Sequence, residues 1–302
     1  MAHETLAREI ARFAQNDGLQ NTVLPYLNFF RSSVKTDPQP CLYGLRLAVG
    51  AQGEKEVAQS DQVIAYGAGQ SLLATVDLPV VARVTRADPA KPYLCLVLDL
   101  DVQALLQLAT ELPLPLGAKH ATKGALSVAP VDPLMMDALI RLVRLLDEPD
   151  LAPLLAPLVV QEIKVRLLTG PHGTLLRQRV SSTSPSHHVA KAMTWLKQNY
   201  SQDILIDELA ASVHMSPSTF RHHFRQLAGM SPLQYQKHLR LQAARQLMLT
   251  EALDAGSAAA RVGYESAPQF SREYSRLFGE PPQRDIRRLR EMVENGVPAE
   301  VS

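Results

Sequence analysis

The spacing of hydrophobic positions changes twice along this chain. From Glu4 to Gln15 they fall at helical intervals, with Leu6, Ile10, Phe13 and Ala14 on one side, which predicts an amphipathic helix ended by Asp17-Gly18. After the short apolar stretch Pro25 to Phe30 the period shortens. Leu42 to Val49, Glu56 to Ala58, Gln62 to Tyr66, Ser71 to Val76, Val80 to Arg86 and Tyr93 to Leu100 are β-favouring runs, punctuated by Gly50, Gly53, Gly67, Gly69, Pro79, Pro89 and Pro92. Short strands at such intervals predict an antiparallel barrel or sandwich. Tyr93 to Leu100 is apolar on both faces and is the expected central strand.

Helical spacing returns at Val102 to Glu111 and, after a Pro- and Gly-punctuated segment to about Val131, at Asp132 to Asp147. There Leu134, Met135, Ala138, Leu139, Leu142, Val143, Leu145 and Leu146 form a stripe wide enough for more than one neighbour. Leu151 to Thr169 adds a second stretch, in which Pro153 and Pro157 are expected to confine regular helix to the part after Pro157. This helix pair fits either closure of the barrel or a dimer interface. Gly170 to His188, with Pro171, Gly173, Pro185 and the run SSTSPSHH, has the composition of a linker. Val189 to Tyr200 then opens a helical region that turns charged after Ile286.

The expected organisation is α+β: a β-domain with flanking helices over residues 1–170, a linker at 171–188, an all-α domain at 189–294 and a tail at 295–302. A chain of 302 residues with 46% hydrophobic content can fill two cores.

Within the all-α region a segment repeats. Ser216 to Gly229, SPSTFRHHFRQLAG, recurs as Ser266 to Gly279, SAPQFSREYSRLFG. Each copy predicts one helix with a serine N-cap, an apolar stripe at i, i+4, i+7 and a glycine just past its end. Ser266 and Gln269 have the spacing of a capping box. Phe220, Phe224 and Leu227 point inward on a helical wheel, leaving Ser218, Arg221, His222 and Arg225 on the opposite, cationic face; His223 stands at its buried edge and reads as structural. The second copy exposes Pro268, Ser271, Arg272 and Ser275, with Gln269 and Arg276 at the margin.

Before each copy lies a short helix, Ile206 to Val213 and the segment around Ala259 and Ala260. Short helix, turn and exposed second helix form the helix-turn-helix arrangement, whose second helix enters the DNA major groove. Pro232 to Thr250 reads as a connecting helix approaching 30 Å at about 1.5 Å per residue, near the roughly 34 Å between successive major-groove faces. No acidic residue occurs from Ser216 to Thr250, while Arg221, Arg225, Lys237, Arg240 and Arg245 are basic.

The residues MSPSTFRHHFRQLAGMSPLQYQKHLRLQAARQLM and VGYESAPQFSREYSRLFGEPP resemble the DNA-binding domain of AraC/XylS-type transcription regulators, over about Val189 to Leu289. The second motif departs from that family's pattern: Ala258 stands near a position usually held by a larger aliphatic residue, and Arg284-Asp285 stands where Tyr-Arg is usual. SLLATVDLPVVARVTRADPAKPYLCLVLDLD is similar to the cupin-like N-terminal effector module of one branch of the family. The resemblance implies a cupin-like antiparallel barrel, an unknown small-molecule effector, RNA polymerase as partner, activation rather than repression, and a homodimer through the helices after the barrel. DNA contacts are expected at Ser218, Arg221, His222, Arg225, Gln269, Ser271, Arg272, Ser275 and Arg276.

Cavity-lining candidates are Tyr43, Arg46, Tyr66, Arg83, Tyr93, Cys41 and Cys95. A cysteine whose thiolate is stabilised by a neighbour such as Arg83 can sense electrophiles or oxidants. Metal-dependent cupins carry a His-x-His pair, a glutamate and a later histidine; here His3, His120 and His172 are widely separated, so neither metal nor cofactor is expected. No glycine-rich phosphate loop or Gly-x-Ser-x-Gly is present. A cupin-like enzyme fused to DNA-binding helices is one alternative, and a barrel serving only dimerisation or protein contacts is another.

Formal net charge is +1, from 31 Lys and Arg against 30 Asp and Glu, which excludes bulk attraction to polyanions as the source of binding. Two cysteines make no disulfide framework, residues 1–13 lack an apolar signal core and no run reaches about 18 apolar residues. A cytoplasmic location without membrane contact is the expectation.

Overall fold

A computed structural model describes residues 2–112, 124–181 and 184–294; the expected tail at 295–302 lies outside them. Helix α1 (Ala2–Phe13) buries Leu6 and Ile10 of the expected stripe, with Ala7 beside them, leaves Phe13 half-buried and is followed by buried Ala14. Among the described residues ten strands follow: β1 (Gly18–Asn21), β2 (Leu27–Ser32), β3 (Gln39–Tyr43), β4 (Arg46–Gln52), β5 (Glu54–Gln59), β6 (Gln62–Gly67), β7 (Gln70–Ala74), β8 (Leu78–Arg86), β9 (Tyr93–Asp99) and, after α2 (Val102–Glu111), β10 (Leu126–Pro130).

They form two antiparallel sheets, ordered β1-β2-β9-β4-β7-β10 and β3-β8-β5-β6. The sheets face one another without closing, so the expected barrel is an open, cupin-like sandwich. β4 and β5 pass from one sheet to the other across Gly53, whose positive φ of 76° suits glycine. At this corner a Cβ on Gly50 would run into the Gly67 carbonyl, which brings the sheets together.

β9 lies between β2 and β4, the central position its apolar faces imply. Its pleat divides the domain. Leu94, Leu96 and Leu98 face a layer built from α1, α2, α3 (Pro133–Arg144) and α4 (Ala152–Thr169), while Tyr93, Cys95 and Val97 face the other sheet.

Two sequence expectations need correction here. α4 begins at Ala152 and runs through Pro157. Pro153 stands in the first turn, where backbone donors lack partners anyway, and Pro157 gives up a single bond one turn later. The segment 171–188 is largely helical: α5 (Gly173–Val180) buries Leu175, Leu176 and Val180, and α6 (Pro185–Gln198) begins before Val189. The composition of the segment hid these few apolar anchors. His172 and His187 are buried too, and Arg179 Nε donates to Thr75 O at 3.0 Å.

The C-terminal region continues with α7 (Ile206–Ser212), α8 (Pro217–Ala228), α9 (Pro232–Thr250), α10 (Ala255–Arg261), α11 (Ala267–Phe278) and α12 (Pro282–Glu294). The core between the sheets runs on into its first half: Val189, Met193, Phe220, Phe224 and Tyr235 join the buried cluster containing Val76, Leu78 and Cys95. α9 to α12 enclose a separate core around Phe270, Tyr274 and Phe278.

Candidate nucleic-acid interface and inter-sheet cavity

The two repeated helices are capped alike. Ser216 accepts from Thr219 N and Ser266 from Gln269 N, and both helices end at left-handed glycines, Gly229 and Gly279. Ser216 and Ser266 thus each satisfy one of the N–H groups that a helix start leaves without an internal partner. The Gln269 side chain does not complete a box; it donates to Glu273 Oε1 at 3.2 Å. The reciprocal capping box is at Ser231 and Gln234, opening α9. Phe220, Phe224, Phe270 and Tyr274 are fully buried. Edge-to-face rings tie Phe224 to Phe220 and Tyr235, each at 5.5 Å.

This burial fixes the opposite faces. Ser218, Arg221, His222 and Arg225 are exposed on α8; Gln269, Arg272 and Arg276 are exposed on α11, with Ser271 and Ser275 half-buried. Ser275 Oγ is turned back onto Ser271 O at 2.8 Å. Arg225, Arg272 and Arg276 have no ion-pair partner among the described residues, whereas Arg221 meets Asp207 of α7 at 2.7 Å. The absence of acid within α8 and α9 therefore does not leave that face free of acid. Lys237, Arg240 and Arg245, which read as part of the basic run, serve structure instead. Lys237 pairs with Glu273 at 2.7 Å, Arg240 donates to the carbonyls of Tyr200 and Gly263, and Arg245 is buried against Asp285.

Asp285 organises the second half. Its carboxylate receives Arg245 at 2.8 and 2.9 Å, the Tyr274 hydroxyl at 2.8 Å and Arg288 at 2.7 Å. Three helices converge on the residue at which the sequence departs from the Tyr-Arg pattern, and Ala258 is fully buried beside them.

The second candidate site is a cavity of about 50 Å³ between the sheets, lined by Leu19, Phe30, Cys41, Tyr43, Arg46, Ala48, Lys55, Tyr66, Cys95 and Val97. Of the candidates, Tyr43, Tyr66, Cys41 and Cys95 line this cavity. Tyr93 sits directly behind, its hydroxyl donating to that of Tyr66 at 3.2 Å. Arg46 stands at the rim, 3.2 Å from Asp99. There Leu19, Arg46 and Val97 also border an outer groove of about 400 Å³.

Arg83 is a correction. The alternation of β8 turns Ala82 and Val84 inward and Arg83 outward, where it pairs with Glu56 at 2.6 Å. It cannot stabilise a thiolate in the cavity. Burial instead pushes the Cys41 thiol up to about 11 and raises that of Cys95, so both stay protonated and weakly reactive at neutral pH. The residue that sequence reasoning missed is Lys55, 4% exposed, with its ammonium 4.5 Å from the Phe30 ring centre and 5.7 Å from that of Tyr43. Burial lowers its pKa to about 8. Its signal was parity: Lys55 alternates in register with Val57 and so faces inward.

Among the described residues no group of three or more His, Cys, Asp or Glu is arranged to hold a metal, and no helix is long and apolar enough to cross a membrane. The chain is similar to ToxT of Vibrio cholerae: an apo structure of that protein aligns with TM-score 0.60 over 88% of this chain and 98% of that one, at 9% identity. This likeness concerns the fold.

In sequence, the chain is 26% identical to the regulator ExsA of Pseudomonas aeruginosa over 44% of this chain and 47% of ExsA. It is 25% identical to the thermoregulatory protein LcrF of Yersinia pestis over 55% of this chain and 61% of LcrF. It is 36% identical to the transcriptional activator RclR of Escherichia coli over 29% and 31%. The matched regions thus span between about a third and three-fifths of these relatives. A helix-turn-helix domain model matches residues 209–288, and the model of the AraC-type transcriptional regulator N-terminus matches residues 23–175, so the chain belongs to the AraC-type family of transcriptional regulators.

Proposed function

We propose that this protein is a sequence-specific DNA-binding transcription regulator, an activator, whose DNA affinity is set by a small molecule held between the sheets of its N-terminal domain. The observation that carries this reading is the pair of identically capped helices, α8 and α11, each with cationic side chains on its open face and joined through the continuous 19-residue α9. Arg225, Arg272 and Arg276 are free to meet guanine edges or phosphates, with Arg221 joining them once it leaves Asp207. Ser218, His222, Gln269, Ser271 and Ser275 add polar contacts.

The path from effector to DNA runs along β5. Lys55 enters the cavity at one end, and four residues on, Gln59 donates to the Leu227 carbonyl at the end of α8 at 3.1 Å. Asp77 forms a second junction, accepting Tyr235 Oη on its carbonyl at 2.8 Å and pairing with Lys197. An occupant that binds one arrangement of these junctions better than another shifts the equilibrium between them.

Leu154, Leu155 and Leu158 of α4, with Leu151 just before it, form an exposed apolar stripe, and this is the surface through which two copies associate. RNA polymerase is the further partner, the compartment is the cytoplasm and the chain has no catalytic role. One ToxT structure contains an unsaturated fatty acid; the cavity here, about 50 Å³, suits a much smaller effector.

Fluorescence anisotropy tests the central claim, using DNA from the protein's own upstream region and scrambled DNA at two salt concentrations. Preferential, salt-sensitive binding that is lost in Arg225→Ala/Arg272→Ala is expected, as is selection of a defined site from random DNA. Equal, weak binding to every sequence, with no site selected, overturns the reading.

A further inference from the structure

We infer that the inter-sheet cavity captures a small aldehyde, held as an imine on Nζ of Lys55. This deepens the effector reading above and rests on it for its regulatory meaning, while the chemistry is testable by itself. The ligand class follows from what surrounds the amine. Phe30 of β2 and Tyr43 of β3 present ring faces to it, and these faces attract a cation and repel an anion. Cys41, Cys95 and Tyr66 complete the inner wall, and all are held neutral by burial. A neutral carbonyl compound enters such a space without shedding the hydration of a charge. The volume, about 50 Å³, admits only a short carbon chain. The route is the outer groove, past Leu19 and the Arg46–Asp99 pair at the rim.

Lys55 is the nucleophile favoured by this setting. Its amine, lowered to about 8, is neutral in about one molecule in ten at pH 7 and about one in four at pH 7.5, whereas the neighbouring thiols are not ionised. The amine nitrogen attacks the carbonyl carbon, forming a C–N bond while one nitrogen proton passes to the oxygen, giving a carbinolamine. The C–O bond then breaks and the hydroxyl leaves with a proton as water, giving the protonated imine. In sum, aldehyde plus ammonium gives iminium plus water, with no oxidant or reductant. Added carbon on Lys55 lies on the same strand, four residues from Gln59 and its bond to α8.

The experiment is reductive trapping on the full-length protein, with propanal as probe and cyanoborohydride as reductant at about pH 7.5, followed by peptide mapping. Lys55 is expected to be alkylated at least about tenfold faster than Lys35, Lys91, Lys164, Lys191, Lys197 and Lys237, because burial in the cavity lowers its pKa to about 8 and so enlarges the neutral share of its amine. The preference is expected to vanish in urea, a control that needs no variant, and the fast site to be lost in Lys55→Arg. Labelling of Lys55 at or below the rate of the surface lysines overturns the inference. So does stabilisation of the fold by propionate and not by propanal.

A second arm reads DNA affinity with propanal and no reductant. A change of threefold or more in wild type and none in Lys55→Arg supports control by the adduct. Fast labelling with unchanged DNA affinity leaves aldehyde capture standing and overturns the effector reading.

Discussion

Gln59 Nε2 donates to Leu227 O at 3.1 Å, joining the end of a sheet strand to the last turn of α8. Beside it Ser60 Oγ donates to Gly229 O at 2.9 Å. Carbonyls at a helix end have no intrahelical donor, so the β5–β6 turn supplies what α8 lacks. Gly229 makes this fit available: its φ is 72°, and a Cβ there would run into Ser60 Oγ.

A mutant cycle tests the contact. Ser60→Gly is expected to stay within about 1 kcal/mol of wild type, the lost hydrogen bond being offset by relief of the positive φ at Ser60. Gly229→Ala is expected to cost about 2–3 kcal/mol in urea unfolding, and the double variant about 1 kcal/mol, the part due to φ alone. Additive losses would show that the turn does not touch α8 in solution.

Asp285 supports a second prediction. It is fully buried and shared by Arg245, Tyr274 and Arg288. Removing one member of a buried ion pair strands the other, so Asp285→Ala is expected to cost about 3–5 kcal/mol. Arg245→Met/Asp285→Leu, which removes both charges, is expected to lose less than that single variant. Thermal unfolding of the three proteins decides it, and a double variant weaker than Asp285→Ala contradicts the account.

The same residue shows what a linear reading can hold. The caps and aromatic stripes of α8 and α11 were legible because each depends on neighbours within one or two turns. Asp285 and its partner Arg245 lie 40 residues apart, and nothing local to either marks the pairing; Arg245 instead looked like one more cation on a DNA-binding face. In the sheets the deciding variable was parity. Arg83 has the chemistry of a cavity residue but alternates with inward Ala82 and Val84, whereas Lys55, a charge on a strand, keeps step with buried Val57. Composition misjudged 171–188, where a few apolar anchors outweigh many serines.

His172 sets a pH dependence. It is 3% exposed between two hydroxyls, Ser71 Oγ at 2.8 Å and Ser127 Oγ at 3.0 Å, and burial lowers its pKa from 6.5 to about 4. Between those values the unfolded chain holds a proton that the folded protein does not. Stability due to this group is therefore complete above about pH 6.5 and falls as pH drops towards 4, by up to about 3 kcal/mol. His172→Gln is expected to flatten the fall between pH 6.5 and pH 4 in urea titrations; an unchanged slope would assign it to other groups.

The leucine stripe of α4 makes a prediction about assembly. Leu154 and Leu158 are 69% and 62% exposed, and an apolar row of this kind on a helix suits a second copy. Leu154→Glu/Leu158→Glu is expected to weaken self-association at least about tenfold by sedimentation velocity, with the melting temperature little changed. A wild-type protein that stays monomeric at high concentration removes the dimer from the proposal.

Arg221 and Arg225 face the same side of α8 but begin from different states. Arg221 is bound to Asp207 at 2.7 Å, with 53% and 68% of the two side chains exposed, while Arg225 has no ion-pair partner among the described residues. An exposed pair is worth about 1 kcal/mol at most, so DNA can displace Asp207, but Arg221 must first give up that contact and Asp207 then repels the phosphates. Arg225→Ala is accordingly expected to weaken DNA binding more than Arg221→Ala. Asp207→Asn is expected to strengthen binding severalfold on specific and scrambled DNA alike, most at low salt, because the freed charge acts through the backbone field. Anisotropy at two salt concentrations separates the cases. A gain on the specific site alone would make Arg221 a base-reading residue whose pairing with Asp207 masks it until the correct sequence arrives, and no gain at all would place Arg221 outside the DNA interface.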